Sequence, residues 1–313
     1  MKEVKTIVYF DIEATGLKDS GKPRICEFSF VAVSTQDLLQ FGSKMNKNEK
    51  TCDEMFLPRI LNKLTLCVYP MALIVPLVSD LTGLDNYNLS GQSKFNKTTG
   101  HLINNFLSCL PSPICLVAHN GTTYDFPLIK AELEKVGIQL NPEVLCADSL
   151  HGIKKIFEVK SENVIFSNDL RKEIRVASEL LNAGMFQSEL LEGQVALPIK
   201  ENTSRLLKDQ NELTPPGKCR NTSSCFAPRK QFPGNAKSRI SKKLSFSSKG
   251  TPTSFTLLNL HSHLLGVPPK QSHGSEADCM ALLRITAVLG SDWINWMKEN
   301  CYPFVKCDKM WGN

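Results

Sequence analysis

An α/β fold, a mixed sheet with helices on both faces, is what this sequence predicts. Three observations lead there. A buried-strand pattern opens the chain. A second strand follows after a connection too short for a parallel crossover. From residue 100 onward, helical and strand patterns alternate.

The opening strand is the apolar, β-branched and aromatic run Val4, Ile7, Val8, Tyr9 and Phe10. Asp11 and Glu13 come next, two residues apart. Side chains alternate along a strand, so both carboxylates point to one face while Ile12 packs on the other. Two adjacent carboxylates repel when both are ionised. A divalent cation relieves that repulsion, and an oxygen-only ligand set favours Mg²⁺ or Mn²⁺ over zinc. The pair is also consistent with an exposed strand end carrying two solvated acids.

Ser20-Gly21-Lys22-Pro23 reads as a turn, and Ile25 to Val33 as a second, antiparallel strand. A third strand is expected either around Leu38 to Phe41 or within Leu64 to Val68, with a Lys- and Asn-rich loop at 43–50 between them. Ser79 to Leu84 predicts a short helical turn closed by Gly83. Leu102, Ile103, Phe106, Leu107 and Leu110 give helical spacing, stopped by Pro111 and Pro113. Ile114 to Ala118 is a buried strand, Tyr124 to Val136 a helix ended by Gly137, and Val144 to Asp148 a strand. Asp148-Ser149 opens another helix, and a weak helical pattern runs on to about 212. Further helices are expected over Phe255 to Leu265, over Glu276 to Leu289, and around Trp293 and Trp296.

From Leu213 to Ser275 the chain has no acidic residue and ten Lys or Arg. Its 214–254 part, rich in Ser, Thr, Asn, Pro and Gly, predicts disorder. Phe226, Phe232 and Phe246 among these bases suit either an arm that follows phosphates or a solvated loop. Lys237 to Lys243 resembles a weak nuclear-import patch. Cys219 and Cys225 with His261 and His263 match no standard zinc spacing.

Composition narrows the class. With 313 residues, 42% hydrophobic and 22% charged, the chain can bury a sizeable core. A net charge of +6 mildly favours a polyanionic partner. Eleven cysteines, an odd number without a CxxC pair, argue for reduced thiols and against a disulfide framework. No secretory pattern is visible, and Leu64 to Val78 is too short and too interrupted by Pro70 and Pro76 to span a bilayer. A soluble cytoplasmic or nuclear protein without membrane association is therefore expected.

Two more acidic sites stand out. Asp125 follows the Asn120-Gly121 turn that leads from a buried strand into a helix; an acid there also suits the helix dipole. Asp278 lies three residues after Ser275, which reads as an N-cap, so the pair also fits a capping box. His273 precedes them on the approach to the helix. An imidazole ordinarily titrates near neutrality, which suits a base that activates water.

Together, Phe10-Asp-Ile-Glu-Ala-Thr-Gly-Leu17, His119-Asn-Gly-Thr-Thr-Tyr-Asp-Phe-Pro-Leu128 and His273-Gly-Ser-Glu-Ala-Asp278 resemble the three exonuclease motifs of the DEDDh 3′→5′ exonucleases. The wording is nearest the three-prime repair (TREX-type) family. Ser79 to Leu84, Cys115 to His119, Cys146 to Ser149, Pro303-Phe304 and Met310-Trp311-Gly312 resemble it too. Gly274 stands where the sister subgroup has a tyrosine.

The resemblance implies a ribonuclease-H-like (DnaQ-like exonuclease) α/β fold with a mixed five-stranded sheet flanked by helices. It implies one exonuclease domain over 1–313, with a core of 4–150 and 255–312 and an insertion at 151–254. It also implies hydrolysis of DNA from single-stranded or frayed 3′ ends to 5′-nucleoside monophosphates. Two Mg²⁺ per site are implied, with Mn²⁺ a substitute. Asp11 would bridge them, Glu13 and Asp278 would complete one site and Asp125 the other, with His273 the general base. Glu13, Ala14, Leu17, Tyr124 and Asp278 would contact the terminal nucleotide, and the protein would be a homodimer. An exoribonuclease and an inactive nucleic-acid-binding scaffold are the alternatives.

Overall fold

The opening apolar run becomes β1 (Thr6–Ala14), which sits inside the sheet because strands pair on both of its sides. β2 (Ile25–Ser34) is antiparallel to it on one side; β4 (Ile114–Ala118) is parallel on the other. The computed structural model describes residues 3–18, 21–47, 57–162 and 250–311, with Lys172 and Arg175 besides. By its internal contacts the chain divides into two units, residues 1–170 with 241–313 and residues 171–240; the sheet and its helices belong to the first. The weak helical pattern read past residue 162, apart from Lys172 and Arg175, and residues 214–249 of the segment expected to be disordered lie outside the described residues, as do the Lys237 to Lys243 patch and Cys219 with Cys225.

Among the described residues the sheet is mixed, as expected, and has six strands where five were expected, in the order β3 (Ile60–Cys67), β2, β1, β4, β5 (Leu145–Asp148), β6 (Tyr302–Pro303). β3 overlaps the predicted Leu64 to Val68 region but begins earlier, at Ile60, whereas β5 falls within the predicted Val144 to Asp148. The added strand, β6 (Tyr302–Pro303), pairs antiparallel with Leu145 and Cys146. Two residues carry no alternation to read; this strand exists because Phe304 is anchored in the core and its N–H reaches Val144 O at 2.8 Å.

Of the two sites offered for the third strand, Leu38 to Phe41 is helical instead. It lies in α1 (Thr35–Lys47), which begins directly where β2 ends. Ser34 Oγ accepts from the N–H groups of Gln36 and Asp37, satisfying donors that a helix start leaves open. Four apolar-rich residues have no decisive period of their own, and this cap settles the matter.

α2 (Pro76–Thr82) is short and buries none of its residues. α3 (Lys97–Ser108) starts with a capping box between Asn96 and Thr99. α4 (Asp125–Lys135) ends as predicted before Gly137, whose φ of 72° suits a residue without Cβ. Residues 149–162 form a helix, α5, that buries Ile153, Ile156 and Phe157. α6 (Leu257–Leu265), α7 (Ser275–Leu289) and α8 (Ser291–Asn300) follow. No described helix is long and apolar enough to cross a membrane.

The strand period of two separates the core into two layers. Val8, Phe10 and Ile12 pack with Phe28, Phe30, Ile103, Leu116 and Phe126 on the side of α3 and α4. Ile7 and Tyr9 pack with Val31, Val33, Leu282, Leu283 and Trp293 on the side of α7 and α8. Phe10 stacks on Phe30 with ring centroids 4.6 Å apart. Continued two residues further, the odd-numbered face of β1 delivers Asp11 and Glu13 toward α7.

Candidate active site

β4 pairs with β1 only opposite Thr6 to Tyr9. Asp11 and Glu13 therefore stand beyond that pairing, at the carboxyl end of β1. The chain leaves β4 for α4 beside them, and crevices at such strand ends are where α/β sheets gather ligands. Both acids are half-buried on the α7 face, while Ile12 is buried on the other.

Asp278, in the first turn of α7, meets them there: carboxylate oxygens of Asp11, Glu13 and Asp278 all lie within 4.8 Å of one another. Asp125 is the first residue of α4 and comes from the opposite layer. It is buried, and its Oδ1 accepts the Ile12 N–H at 3.1 Å, which places it alongside Asp11. Four acids from three distant parts of the chain are thus gathered around the end of one strand.

His273 lies on the approach to α7, exposed, with φ of 63°, a region that non-glycine residues seldom enter. Its backbone N–H donates to Asp278 Oδ2 at 3.2 Å. The capping reading of this turn does not hold. Gly274 is the N-cap, and Ser275 lies inside the helix, fully buried. Its side chain turns away from the helix end because β2 supplies a better acceptor: Glu27 Oε1 takes both the Ser275 O–H, at 2.6 Å, and its N–H, at 3.0 Å. Asp278 is thereby left free of capping and faces the cluster.

Glu27 was not among the predicted site residues. It stands directly opposite Glu13 in the β1–β2 register and holds the first turn of α7 through Ser275. A second tie lies one residue on, where Glu276 accepts from Lys63 Nζ at 2.6 Å and from the Thr65 hydroxyl at 2.9 Å. The available signal was a lone acid within the apolar run Ile25 to Val33. A Glu27→Ala variant is expected to bind Mg²⁺ about 10–100-fold more weakly in calorimetry, as loss of an outer support does. Glu27→Gln, whose amide oxygen can still accept from Ser275, should retain most of the affinity. Equal isotherms for all three proteins would detach this anchor from the cluster.

The turn carrying Asp125 is held equally firmly. Asp148 accepts the N–H groups of Asn120, Thr122 and Leu150 at 2.9–3.0 Å. Asn120 takes φ of 61°, and a Cβ on Gly121 would come within 2.6 Å of Ala118 Cβ. His119 Nε2 donates to Phe255 O at 2.8 Å, so its Nδ1 accepts from Ser149 Oγ at 3.0 Å; burial keeps this imidazole neutral by lowering its pKa.

Of the residues expected to meet a nucleotide, Ala14 is buried, and Leu17 is 72% exposed on the turn after β1. Tyr124 is half-buried, and its hydroxyl donates to Gly16 O, tying that turn to the start of α4. Val75 N–H donates to Thr15 O at 3.0 Å, bringing the segment before α2 to the same turn.

The electrostatics follow from this crowding. Burial, then Asp125, Glu13 and Asp278, pushes the Asp11 carboxyl well above its usual range. Burial, then Asp278 and Glu27, raises Glu13 to about 7. Burial also raises Asp125, against the N–H groups that favour its anion, and it raises Asp278, against the His273 N–H and imidazole. Oxygen donors alone, converging and mutually repelling, fit a hard divalent cation such as Mg²⁺ or Mn²⁺.

No protein-family model matches the chain. Three prime repair exonuclease 2 of Homo sapiens is 39% identical over 152 residues, covering 48% of this chain and 61% of that protein. The Mus musculus protein of the same name is 38% identical over 152 residues, with the same shares. Three-prime repair exonuclease 1 of Bos taurus is 37% identical over 156 residues, 49% of this chain and 48% of that protein. The chain thus spans 61% or less of the length of these relatives. Among solved structures, E. coli Exonuclease I in complex with a dT13 oligonucleotide aligns with a TM-score of 0.48 at 11% identity, over 94% of this chain and 43% of that one.

Proposed function

We propose that this chain, a relative of the three-prime repair exonucleases, is a metal-dependent 3′→5′ exodeoxyribonuclease. The observation that carries the reading is the convergence of Asp11, Glu13 and Asp278 within 4.8 Å, with Asp125 hydrogen-bonded to the strand residue between the first two.

In this reading the four carboxylates would hold two Mg²⁺, Asp11 serving both, Glu13 and Asp278 one of them and Asp125 the other. Bound there, the ions supply positive charge for both the entering and leaving oxygens of a phosphodiester. His273 takes the proton of the attacking water on an imidazole nitrogen. Its backbone bond to Asp278 keeps that base next to the acids, and its exposed position lets the proton pass on to solvent. Water oxygen bonds to phosphorus as the bond to the 3′ oxygen breaks, which leaves a 5′-nucleoside monophosphate. Leu17, exposed on the turn after β1, offers apolar contact to the terminal base without selecting its identity, with Ala14 and Tyr124 shaping the same turn.

The same proposal carries a single exonuclease domain built from 4–150 and 255–312 with 151–254 as an insertion, a cytoplasmic or nuclear setting, and a homodimer. β3 ends the sheet with Leu61, Asn62 and Lys63 exposed, an edge on which a second copy could add.

Digestion of 5′-labelled single-stranded DNA, frayed duplex and RNA with and without Mg²⁺ tests the reading. Expected are mononucleotides and a ladder shortening from the 3′ end of DNA, lost on chelation. Internal cuts, or faster loss of RNA, would overturn it.

A further inference from the structure

The cysteines read from sequence as a scatter of reduced thiols, yet the fold brings two of them together. Cys146 lies on β5 and Cys307 follows the 3-10 turn Phe304–Lys306, after β6. They are 161 residues apart in the chain, and their Sγ atoms are 3.3 Å apart with both side chains buried. Neither belongs to the acidic cluster. We propose that Cys146 and Cys307 are a redox-active dithiol that closes into a disulfide on oxidation by a peroxide, a modification site distinct from the carboxylates.

The surroundings assign each sulfur a role. The two sulfurs share a hydrogen bond that either thiol can donate, and Cys307 Sγ also lies 3.7 Å from the Tyr302 hydroxyl. Lys130 Nζ donates to the Cys307 carbonyl and, at 2.8 Å, to that of Val305, which puts an ammonium next to the same residue. The Cys146 contact, followed by the Tyr302 hydroxyl and Lys130, lowers the Cys307 pKa against its burial, while the contact with Cys307 raises that of Cys146. The Lys130 ammonium stands on the Cys307 side of the pair, which assigns the attack to Cys307 and leaves Cys146, 3.3 Å away, as the resolving thiol.

The chemistry balances with hydrogen peroxide as the oxidant. The Cys307 thiolate attacks one peroxide oxygen; the S–O bond forms, the O–O bond breaks, and the leaving oxygen takes protons to depart as water. The Cys146 sulfur then attacks the resulting sulfenic sulfur. The S–S bond forms, the S–O bond breaks, and a second water leaves. Two thiols and one peroxide give one disulfide and two waters. Closure to the ~2.05 Å bond length asks the sulfurs to approach by little more than an ångström.

The bond would fasten a strap. Residues 302–311 cross the edge of the sheet and α4: Tyr302 and Pro303 pair with β5, and Met310 N–H reaches Pro127 O at 3.0 Å. Arg24 then lies over the Trp311 ring. A covalent link from β5 to this strap would constrain the unfolded chain across a long loop and hold the strap against the sheet edge.

The test uses the full reduced chain. It is treated with stoichiometric hydrogen peroxide, its remaining thiols are blocked with N-ethylmaleimide, and it is digested without reductant for mass spectrometry. The expected result is a peptide pair joined through Cys146 and Cys307, the loss of two of the eleven thiols, and a melting temperature raised by about 5 °C or more, all reversed by dithiothreitol. Cys307→Ser should yield no joined pair at the same peroxide dose. If the wild-type protein instead keeps both thiols while others oxidise, or Cys307 is recovered as a sulfinic acid without a partner, the proposal fails. That readout is independent of nuclease activity and of whether the serine variant folds.

Discussion

Asp278→Asn is expected to lower Mg²⁺-dependent removal of 3′ nucleotides by more than about 10²-fold, and His273→Ala by about 10²–10⁴-fold. The asparagine side chain keeps the size and an acceptor oxygen for the His273 N–H, so α7 should stay in place. What it removes is one of three carboxyl groups whose oxygens lie within 4.8 Å of each other. The metal-free variant should consequently melt no lower than wild type, since repulsion is relieved. His273→Ala keeps the backbone bond and loses only the imidazole. Digestion of a 5′-labelled oligonucleotide, read beside DNA anisotropy and thermal melting, separates chemistry from binding and folding. Near-normal digestion by either variant would remove the nuclease reading.

Added Mg²⁺ should stabilise the protein strongly at pH 8 and weakly at pH 5.5. The sign comes from the raised carboxyls. Glu13 ionises near 7 in the folded metal-free protein, against 4.5 as its ordinary value. The folded state therefore holds more protons than the unfolded one between about pH 4.5 and 7, and its stability falls as pH rises through that window. Burial and mutual repulsion give Asp11 and Asp125 the same sign. A cation must displace those protons at pH 5.5 but meets ready anions at pH 8. With Mg²⁺ at about 100 times its Kd, a melting-point rise of about 5–10 °C is expected at pH 8, and much less at pH 5.5. Equal rises at the two pH values would mean that the ion does not bind at these carboxylates.

How far the sequence reached depended on the length of each signal. β1, β2 and β4 announce themselves through continuous apolar runs, α4 and α7 through helical spacing, and Asp11 and Glu13 through their place on one face of a strand. Leu38 to Phe41 was ambiguous because four residues fit either period, and the Ser34 cap decided for helix. β6 was invisible because two residues have no period at all.

The site divides in the same way. Residue types and alternation along the chain determined that a run of buried strand would end in two acids on one face, and motif wording tied Asp125, His273 and Asp278 to them. Only the packed structure decided that Asp278 faces those acids rather than capping its own helix. That choice depends on Glu27, 248 residues before Ser275, which offers the Ser275 hydroxyl and N–H a better acceptor than the helix end does. Competition between hydrogen-bond partners so far apart in the chain is settled by tertiary contact, and so is the meeting of Cys146 with Cys307.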